Sequence, residues 1–343
     1  MSLADRLARL EPLVREVSRD LGVLTEVPLE ELVRAHGGRQ GAEIAAAPDE
    51  VRSEALARLY ELRAQHLDWT YETGYLGFFA ENPGTRYTFL RRLEEQLDLL
   101  TPDPRGALLD VGCGAGILAV LAAAGFARVA GTDVSRTALR FGARLAERAG
   151  ATNIVFAEGD AERLPFPDGA FPRVVCGEVI GHVADPARAA RELARVTSPG
   201  GILLLSTPCA LSPTHAALRL AGRLRPGLQV HRERQVDRRV EGKLKELGEA
   251  VDPSALLRVK KRFRYGEVVA LMASAGFRRR RARGATLDLP PATLIYHALP
   301  AWSLGVLRGT ERALNRARVL PRALSVTTVF EFEKPHEGRE TRG

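Results

Sequence analysis

The clearest pattern in the chain is a series of short apolar runs, each ending in glycine or a polar residue, that alternate with helical segments. The first run covers residues 107–111 and lies between Gly106 and Gly112, and four further runs follow before residue 208. Uninterrupted apolar runs of this length are typical of strands buried on both faces of a parallel sheet. Strands that alternate with helices predict an α/β fold.

Helical periodicity surrounds this region. Leu3, Leu7, Leu10 and Val14 repeat on one face, as in an amphipathic helix. Further helices are predicted at residues 28–34, 86–99, 262–276 and 290–320. Residues 325–334 alternate between apolar and polar positions, which predicts an edge strand.

These elements divide the chain into five parts. The stretch between the fifth apolar run and residue 260 is too long for a simple loop, so it predicts an inserted cap or lid. The predicted parts are a helical N-terminal extension with an aromatic lid at 1–104, an α/β core at 105–207, an inserted helical cap at 208–259, the C-terminal part of the core with lid helices at 260–334, and a disordered tail at 335–343.

Glycines follow the first apolar run at alternate positions. Asp110 is followed by Gly112, Gly114 and Gly116, and glycine lets the backbone bend sharply and approach a ligand. The dinucleotide pattern G-x-G-x-x-G would need glycine at position 117, where this chain has isoleucine. This difference argues against NAD as the ligand of the turn.

Carboxylates also end the next runs. Asp133 closes the second run, and a carboxylate at that place in a βαβ unit accepts hydrogen bonds from two ribose hydroxyls. Asp160 begins the Asp-Ala-Glu-Arg-Leu-Pro-Phe stretch after the third run. Glu178 and His182 follow the fourth run, and a Pro-Gly-Gly turn at 199–201 precedes the fifth.

The five motifs, in this order, resemble those of class I S-adenosylmethionine-dependent methyltransferases, in the group that includes ubiquinone and menaquinone biosynthesis enzymes. The resemblance implies a Rossmann-like, seven-stranded, mostly parallel sheet with an antiparallel last strand, and S-adenosyl-L-methionine as cofactor. It places Asp110 near the methionine amino group and Asp160 near the adenine amino group. The implied cofactor contacts are Asp110, Gly112, Cys113, Gly114, Gly116, Asp133, Val134, Asp160, Ala161 and Glu178.

One departure from the family pattern precedes the fourth run, where Phe171-Pro172-Arg173 replaces the usual Phe-Asp. That aspartate is mainly structural in the family, so cofactor binding is expected to survive its loss. Thr207-Pro208-Cys209 superficially resembles a cytosine methyltransferase nucleophile, but the residues that follow do not continue that motif. The Asp/Asn-Pro-Pro-Tyr tetrad of amino-group nucleic-acid methylation is absent after the fourth run.

Aromatic residues are concentrated before the glycine turn, which predicts either an acceptor pocket or a packed wall. Tyr71-Glu72-Thr73-Gly74-Tyr75 is distantly similar to a Tyr-Glu-x-Gly-Trp-Gly element of sterol methyltransferases. Tyr71, Glu72 and Tyr75 are therefore candidate acceptor residues. His182 is the candidate general base, needed only if the acceptor must lose a proton, and packing is its alternative role.

Charge is unevenly distributed along a chain of net charge +8. Residues 223–283 hold 18 basic and 7 acidic residues, an excess of 18 − 7 = 11. Such an excess can steer a protein toward nucleic acid, an anionic membrane or an acidic substrate, or it can form a solvated surface. The helices predicted at 290–320 can cover an acceptor, lie on a membrane, form a dimer face or pack on the sheet.

Composition points to a soluble cytoplasmic protein. Apolar stretches long enough to span a membrane are absent from the sequence, and its start lacks a signal-peptide core. Cys113, Cys176 and Cys209 lack the spacing of metal ligands, so no metal is predicted. The oligomeric state is left open, and contact with a membrane surface is allowed.

The sequence thus favours a methyltransferase that acts by direct in-line displacement on a small, largely apolar acceptor, such as a quinone precursor, polyketide, sterol or other isoprenoid. The alternative is an RNA or protein methyltransferase that uses the basic segment 223–283, although nucleic acid is not the expected partner. A third hypothesis is a regulator that binds S-adenosylmethionine without turnover.

Overall fold

The structure is a computed structural model. It describes residues 2–21, 53, 57, 60, 61, 77–79, 83–210, 261–287, 301–318 and 325–336. The helix predicted at 28–34, the candidate acceptor residues Tyr71, Glu72 and Tyr75, almost all of the predicted cap, and the tail from residue 337 lie outside the described residues.

A seven-stranded sheet forms the centre of the molecule. Its strands are β1 (Asp103–Val111), β2 (Phe126–Asp133), β3 (Ile154–Glu158), β4 (Phe171–Gly177), β5 (Thr197–Pro208), β6 (Arg278–Leu287) and β7 (Ser325–Glu333). Their order across the sheet is β3-β2-β1-β4-β5-β7-β6. The first five strands are parallel, whereas β7 runs antiparallel to both β5 and β6. The seven-stranded, mostly parallel sheet predicted from the sequence is confirmed, but β7 is not the predicted edge strand, because it pairs with β5 on one side and β6 on the other.

The central strand β1 is buried because helices cover both faces of the sheet. Leu108 and Leu109 are fully buried and belong to different hydrophobic clusters, one on each side. The strand begins at Asp103, four residues before the apolar run at 107–111 that predicted it. Asp103 accepts hydrogen bonds from the backbone N–H groups of Arg105 and Gly106, at 3.2 and 3.0 Å, where the register with β2 shifts.

Seven helices are described around the sheet. They are α1 (Leu3–Asp20), α2 (Pro83–Leu99), α3 (Ile117–Ala122), α4 (Arg136–Arg148), α5 (Pro186–Val196), α6 (Tyr265–Ser274) and α7 (Ala301–Arg316). The first begins at Ser2 with a capping box to Asp5, and its predicted apolar face is buried. Arg148 of α4 pairs with Glu16 and Asp20 of α1 at 2.6 and 2.5 Å. No helix in the described part of the chain is long and apolar enough to cross a membrane.

A buried ionic network joins α2, α7 and β6. Arg91 bonds Glu311 at 2.7 Å and Glu95 at 2.5 Å, and it also pairs with Glu94. Glu311 is completely buried and accepts hydrogen bonds from the Leu287 backbone N–H at 2.8 Å and the Tyr87 hydroxyl at 3.0 Å. Burial alone would lower the pKa of Arg91, but the carboxylates around it raise that pKa. The guanidinium therefore stays charged.

Replacing Arg91 with methionine is expected to lower the free energy of unfolding by about 3–5 kcal/mol, because it leaves Glu311 buried without its cation. Urea unfolding followed by circular dichroism measures the loss. Arg140→Met, on the exposed face of α4, is the matched control and is expected to change stability by about 0.5 kcal/mol or less. Equal losses in both variants would contradict the role given to this network.

Candidate functional site

A cleft of about 350 Å³ opens at the carboxyl ends of the parallel strands β1, β2 and β4. In open α/β sheets this edge is where ligands bind. Every predicted cofactor residue except Gly116 lines the cleft together with His182. These residues are Asp110, Gly112, Cys113, Gly114, Asp133, Val134, Asp160, Ala161, Glu178 and His182.

The turn after β1 is built on left-handed glycines. Gly112 has φ 67°, and a Cβ added there would lie 2.1 Å from Cγ2 of Val179. The backbone N–H of Gly114 donates to one oxygen of Asp133 at 2.9 Å, and that of Ser135 donates to the other at 3.0 Å. Asp133 therefore holds the glycine turn against the end of β2, and its carboxylate is presented to the cleft.

Gly116 is the one predicted cofactor residue that does not line the cleft, and its contact with the cofactor stays a prediction. It caps the N-terminal end of α3 with φ 73° and is not part of the cleft lining. A Cβ at this position would lie 2.9 Å from Cζ of Phe156 and 3.1 Å from the Gly142 Cα. Its observed role is close packing of α3 against α4 and β3.

Asp110 is a buried carboxylic acid in the cleft whose pKa is strongly raised. It is 4% exposed, and no hydrogen bond or ion pair to its side chain comes from the described part of the chain. Burial, and secondarily the charge of Asp133, raise its pKa to about 8. Burial also raises the pKa of the neighbouring Cys113 thiol, with Asp110 and Asp133 adding to the effect. The cleft therefore favours a ligand with positive charge, which would stabilise the ionised carboxylates.

The raised pKa predicts how the stability of the ligand-free protein depends on pH. The folded state keeps the Asp110 proton up to about pH 8, whereas the unfolded chain loses it near 3.8. The folded state thus binds more protons in this window, so the free energy of unfolding falls as pH rises through it. Urea unfolding at pH 5 and pH 8 is expected to show this fall in the wild type and a smaller one in Asp110→Asn. An equal fall in both proteins would contradict it.

Glu178 lies just beyond β4 in a strained conformation. Its φ is 66°, which is uncommon for a residue other than glycine. The Ser206 hydroxyl donates to Oε1 of Glu178 at 3.2 Å, and the Gln96 amide reaches that hydroxyl at 3.5 Å. Strain of this kind concentrates at ligand sites, where surrounding contacts maintain it.

Ser53, Tyr60 and Glu61, which belong to the N-terminal part predicted to contain a lid, contact three of the loops around the cleft. Ser53 donates to Asp160, and the Tyr60 hydroxyl is hydrogen-bonded to Nδ1 of His182, with the two rings edge to face. The Glu61 carboxylate accepts hydrogen bonds from the Ser135 hydroxyl at 2.7 Å and the Thr137 hydroxyl at 2.9 Å. Ser53 and Tyr60 also line the cleft.

One wall of the cleft is aromatic. Phe78 and Phe89 meet edge to face with ring centroids 5.5 Å apart, and the Arg92 guanidinium lies over both rings at 5.8 and 5.2 Å. Both phenylalanines belong to the aromatic segment for which the sequence predicted either an acceptor pocket or a packed wall. Among the described residues, no group of histidine, cysteine and carboxylate side chains could hold a metal ion.

Comparison with known proteins identifies the domain around this cleft. A protein-family model described as "Methyltransferase domain" matches residues 109–205. Residues 109–205 are a class I S-adenosylmethionine-dependent methyltransferase domain.

The relatives of this methyltransferase domain include biosynthetic enzymes. A "Ubiquinone biosynthesis O-methyltransferase" of Paracidovorax citrulli is 38% identical over 112 residues, which are 32% of this chain and 47% of that protein. A protein of the same name from Leptothrix cholodnii is 33% identical over 153 residues, which are 44% of this chain and 61% of that protein. The YcgJ structure from Bacillus subtilis has a TM-score of 0.46 at 19% identity and covers 73% of this chain and 100% of that one. The match to the first of these relatives spans about half of its length.

The residues of the methyltransferase domain fit S-adenosylmethionine, which carries a sulfonium and an ammonium group. Asp110 is a buried carboxylate that a cation would stabilise, and Asp133 presents carboxylate oxygens where a ribose is expected. Val134, Asp160 and Ala161 line the part of the cleft where the adenine ring is expected.

Proposed function

We propose that this protein transfers the methyl group of S-adenosylmethionine to a small, largely apolar acceptor. The observation that carries the proposal is that the cofactor motifs and an aromatic wall line the same cleft. Phe78, Phe89 and Leu118 line the cleft, and an apolar acceptor ring could pack against them. Quinone precursors, polyketides and isoprenoids have such surfaces, and two of the relatives are named for ubiquinone biosynthesis.

The chain's main contribution to the reaction is positional. When bound, S-adenosylmethionine supplies a methyl group that is already activated on its sulfonium, and transfer is an in-line displacement. Asp110 and Asp133 would orient the ligand, and Ser53 and Tyr60, which line the cleft and bond Asp160 and His182, would help to exclude water. Holding the acceptor in line with the methyl group would then provide most of the rate acceleration over the uncatalysed reaction.

His182 is the proposed base for an acceptor that must lose a proton, such as a phenol. Its Nδ1 is hydrogen-bonded to the Tyr60 hydroxyl, which fixes the orientation of the ring. Base catalysis requires the tautomer in which Nδ1–H donates to Tyr60, because Nε2 then carries the lone pair. Tyr60 is therefore a positioning residue in this proposal.

The RNA or protein alternative has no observation in its favour. Residues 223–260 of the basic segment lie outside the described residues. Of the arginines at its described end, Arg278 pairs with Glu333 at 2.9 Å, and Arg281 pairs with Glu331. Arg283 pairs with Glu95 at 3.2 Å.

Methyl transfer into a cell extract tests the proposal. The full chain is incubated with labelled S-adenosylmethionine and an extract of the source cells, which is then separated into lipid, polar-metabolite, RNA and protein fractions. Enzyme-dependent label is expected in the lipid fraction. Label in RNA or protein would contradict the apolar acceptor, and absence of label from every fraction would contradict methyl transfer itself.

A further inference from the structure

A second site faces away from the cofactor cleft. We propose that the basic groove, which lies between β6 and the C-terminal end of α7, binds a phosphate ester group. The groove encloses about 470 Å³. Within the described residues, four exposed arginines that line it form no ion pair: Arg279, Arg312, Arg316 and Arg318.

The groove is separate from the methyltransferase site. None of the described residues lines both cavities. Helix α2 stands between them, with Arg92 and Gln96 facing the cleft and Glu95 and Asp98 facing the groove. A ligand of the basic groove would therefore leave the cofactor cleft open.

The walls of the basic groove are firmly joined. Asn315 of α7 forms two hydrogen bonds with the Gly284 backbone of β6, at 2.8 and 3.0 Å. The Leu287 backbone N–H of the same strand donates to Glu311 of α7 at 2.8 Å. A site held in this way loses little conformational freedom when a ligand binds.

The charge of the basic groove remains positive after its internal pairs are counted. Glu95 and Asp98 are the carboxylates that line it. Glu95 is already bonded to Arg91 at 2.5 Å and to Arg283 at 3.2 Å, and Asp98 lies 3.8 Å from Arg283. The unpaired arginines thus have no carboxylate partner in the groove, and an anion can supply one.

The arrangement of these arginines favours phosphate. Arg312 and Arg316 are four residues apart on α7, so their side chains project from the same helical face. The Arg279 guanidinium lies over the Tyr265 ring at 5.9 Å, which restrains its orientation. Guanidinium groups from two walls can each donate paired hydrogen bonds to the several oxygens of a phosphate ester.

Two probes test this proposal on the full chain and distinguish the source of the phosphate. Calorimetric titration with inorganic pyrophosphate detects a soluble ligand, and co-sedimentation with phosphatidylcholine vesicles containing phosphatidylglycerol detects a lipid headgroup. Binding to either probe supports the site. The double variant R312Q/R316Q is expected to weaken that binding by about tenfold or more, because it removes two charge-assisted contacts.

The matched control is R140Q/R144Q, which removes two exposed arginines at the same spacing from α4, outside the groove. Its net charge equals that of R312Q/R316Q, so the control separates a specific site from a general charge effect. The control is expected to keep wild-type affinity. Equal weakening in the two double variants, or wild-type protein that binds neither probe, would overturn the proposal.

Discussion

Replacing Asp133 with alanine is expected to lower the affinity for S-adenosylmethionine by about 100-fold or more. Without the carboxylate, the ribose of the ligand would lose two charge-assisted hydrogen bonds, each worth roughly 1.5–3 kcal/mol. The glycine turn would also lose its anchor, because the Gly114 N–H donates to Asp133. Calorimetric titration with S-adenosylhomocysteine, the product of the reaction, measures the change without an acceptor.

Glu158→Ala is the matched control for this variant. Glu158 ends the neighbouring strand β3, is exposed and pairs with Arg136 at 2.6 Å, outside the cleft. Its removal is expected to leave cofactor affinity within about twofold. Asp133→Asn keeps the side-chain volume and gives a second test if the alanine variant does not fold. An affinity unchanged in both Asp133 variants would contradict the ribose assignment.

Replacing His182 with asparagine is expected to lower the rate of methyl transfer to a phenolic acceptor by about 100-fold or more, the usual size of a general-base effect. The asparagine amide can still bond the Tyr60 hydroxyl but has no basic nitrogen. Cofactor affinity is expected to stay the same, since His182 is not among the predicted cofactor contacts. The measurement is the initial rate of labelling of the lipid fraction, recorded between pH 5 and pH 9.

The pH dependence separates catalysis from packing. The wild-type rate is expected to rise with pH as the imidazole loses its proton, and this rise is expected to disappear in His182→Asn. Tyr60→Phe keeps the edge-to-face ring contact with His182 but removes the hydrogen bond to Nδ1. It should shift the pH profile and lower the rate by roughly tenfold. Wild-type pH profiles in both variants would show that His182 only packs.

The sheet and the glycine turn could be predicted because their signals are local. Each of the five apolar runs can be recognised from a few consecutive residues, because glycine or a polar residue ends it. The carboxyl ends of parallel strands then lie at the same edge of the sheet. This is why Asp110, Asp133 and Glu178 could be placed together from the sequence. The packing of Gly116 against Phe156 could not be predicted, since a left-handed glycine that faces a ligand and one that packs against a side chain look the same in sequence.

Long-range contacts account for what the sequence did not reveal. Ser53 meets Asp160 across 107 positions, and Glu61 meets Ser135 across 74. Arg91 and Glu311 are 220 positions apart, so nothing near either residue indicates a buried ion pair. Such partners are fixed by tertiary packing, and the sequence around a single serine or glutamate does not indicate which distant residue it will contact.

A crystal structure of the full chain with S-adenosylhomocysteine tests most directly whether this cleft is the cofactor site. The predicted result is density in the cleft at the carboxyl ends of β1, β2 and β4, with the ribose hydroxyls on Asp133, the amino group beside Asp110 and the adenine against Asp160 and Ala161. Density at another place on the protein, or a ligand in the cleft that makes no contact with Asp133, would contradict the account.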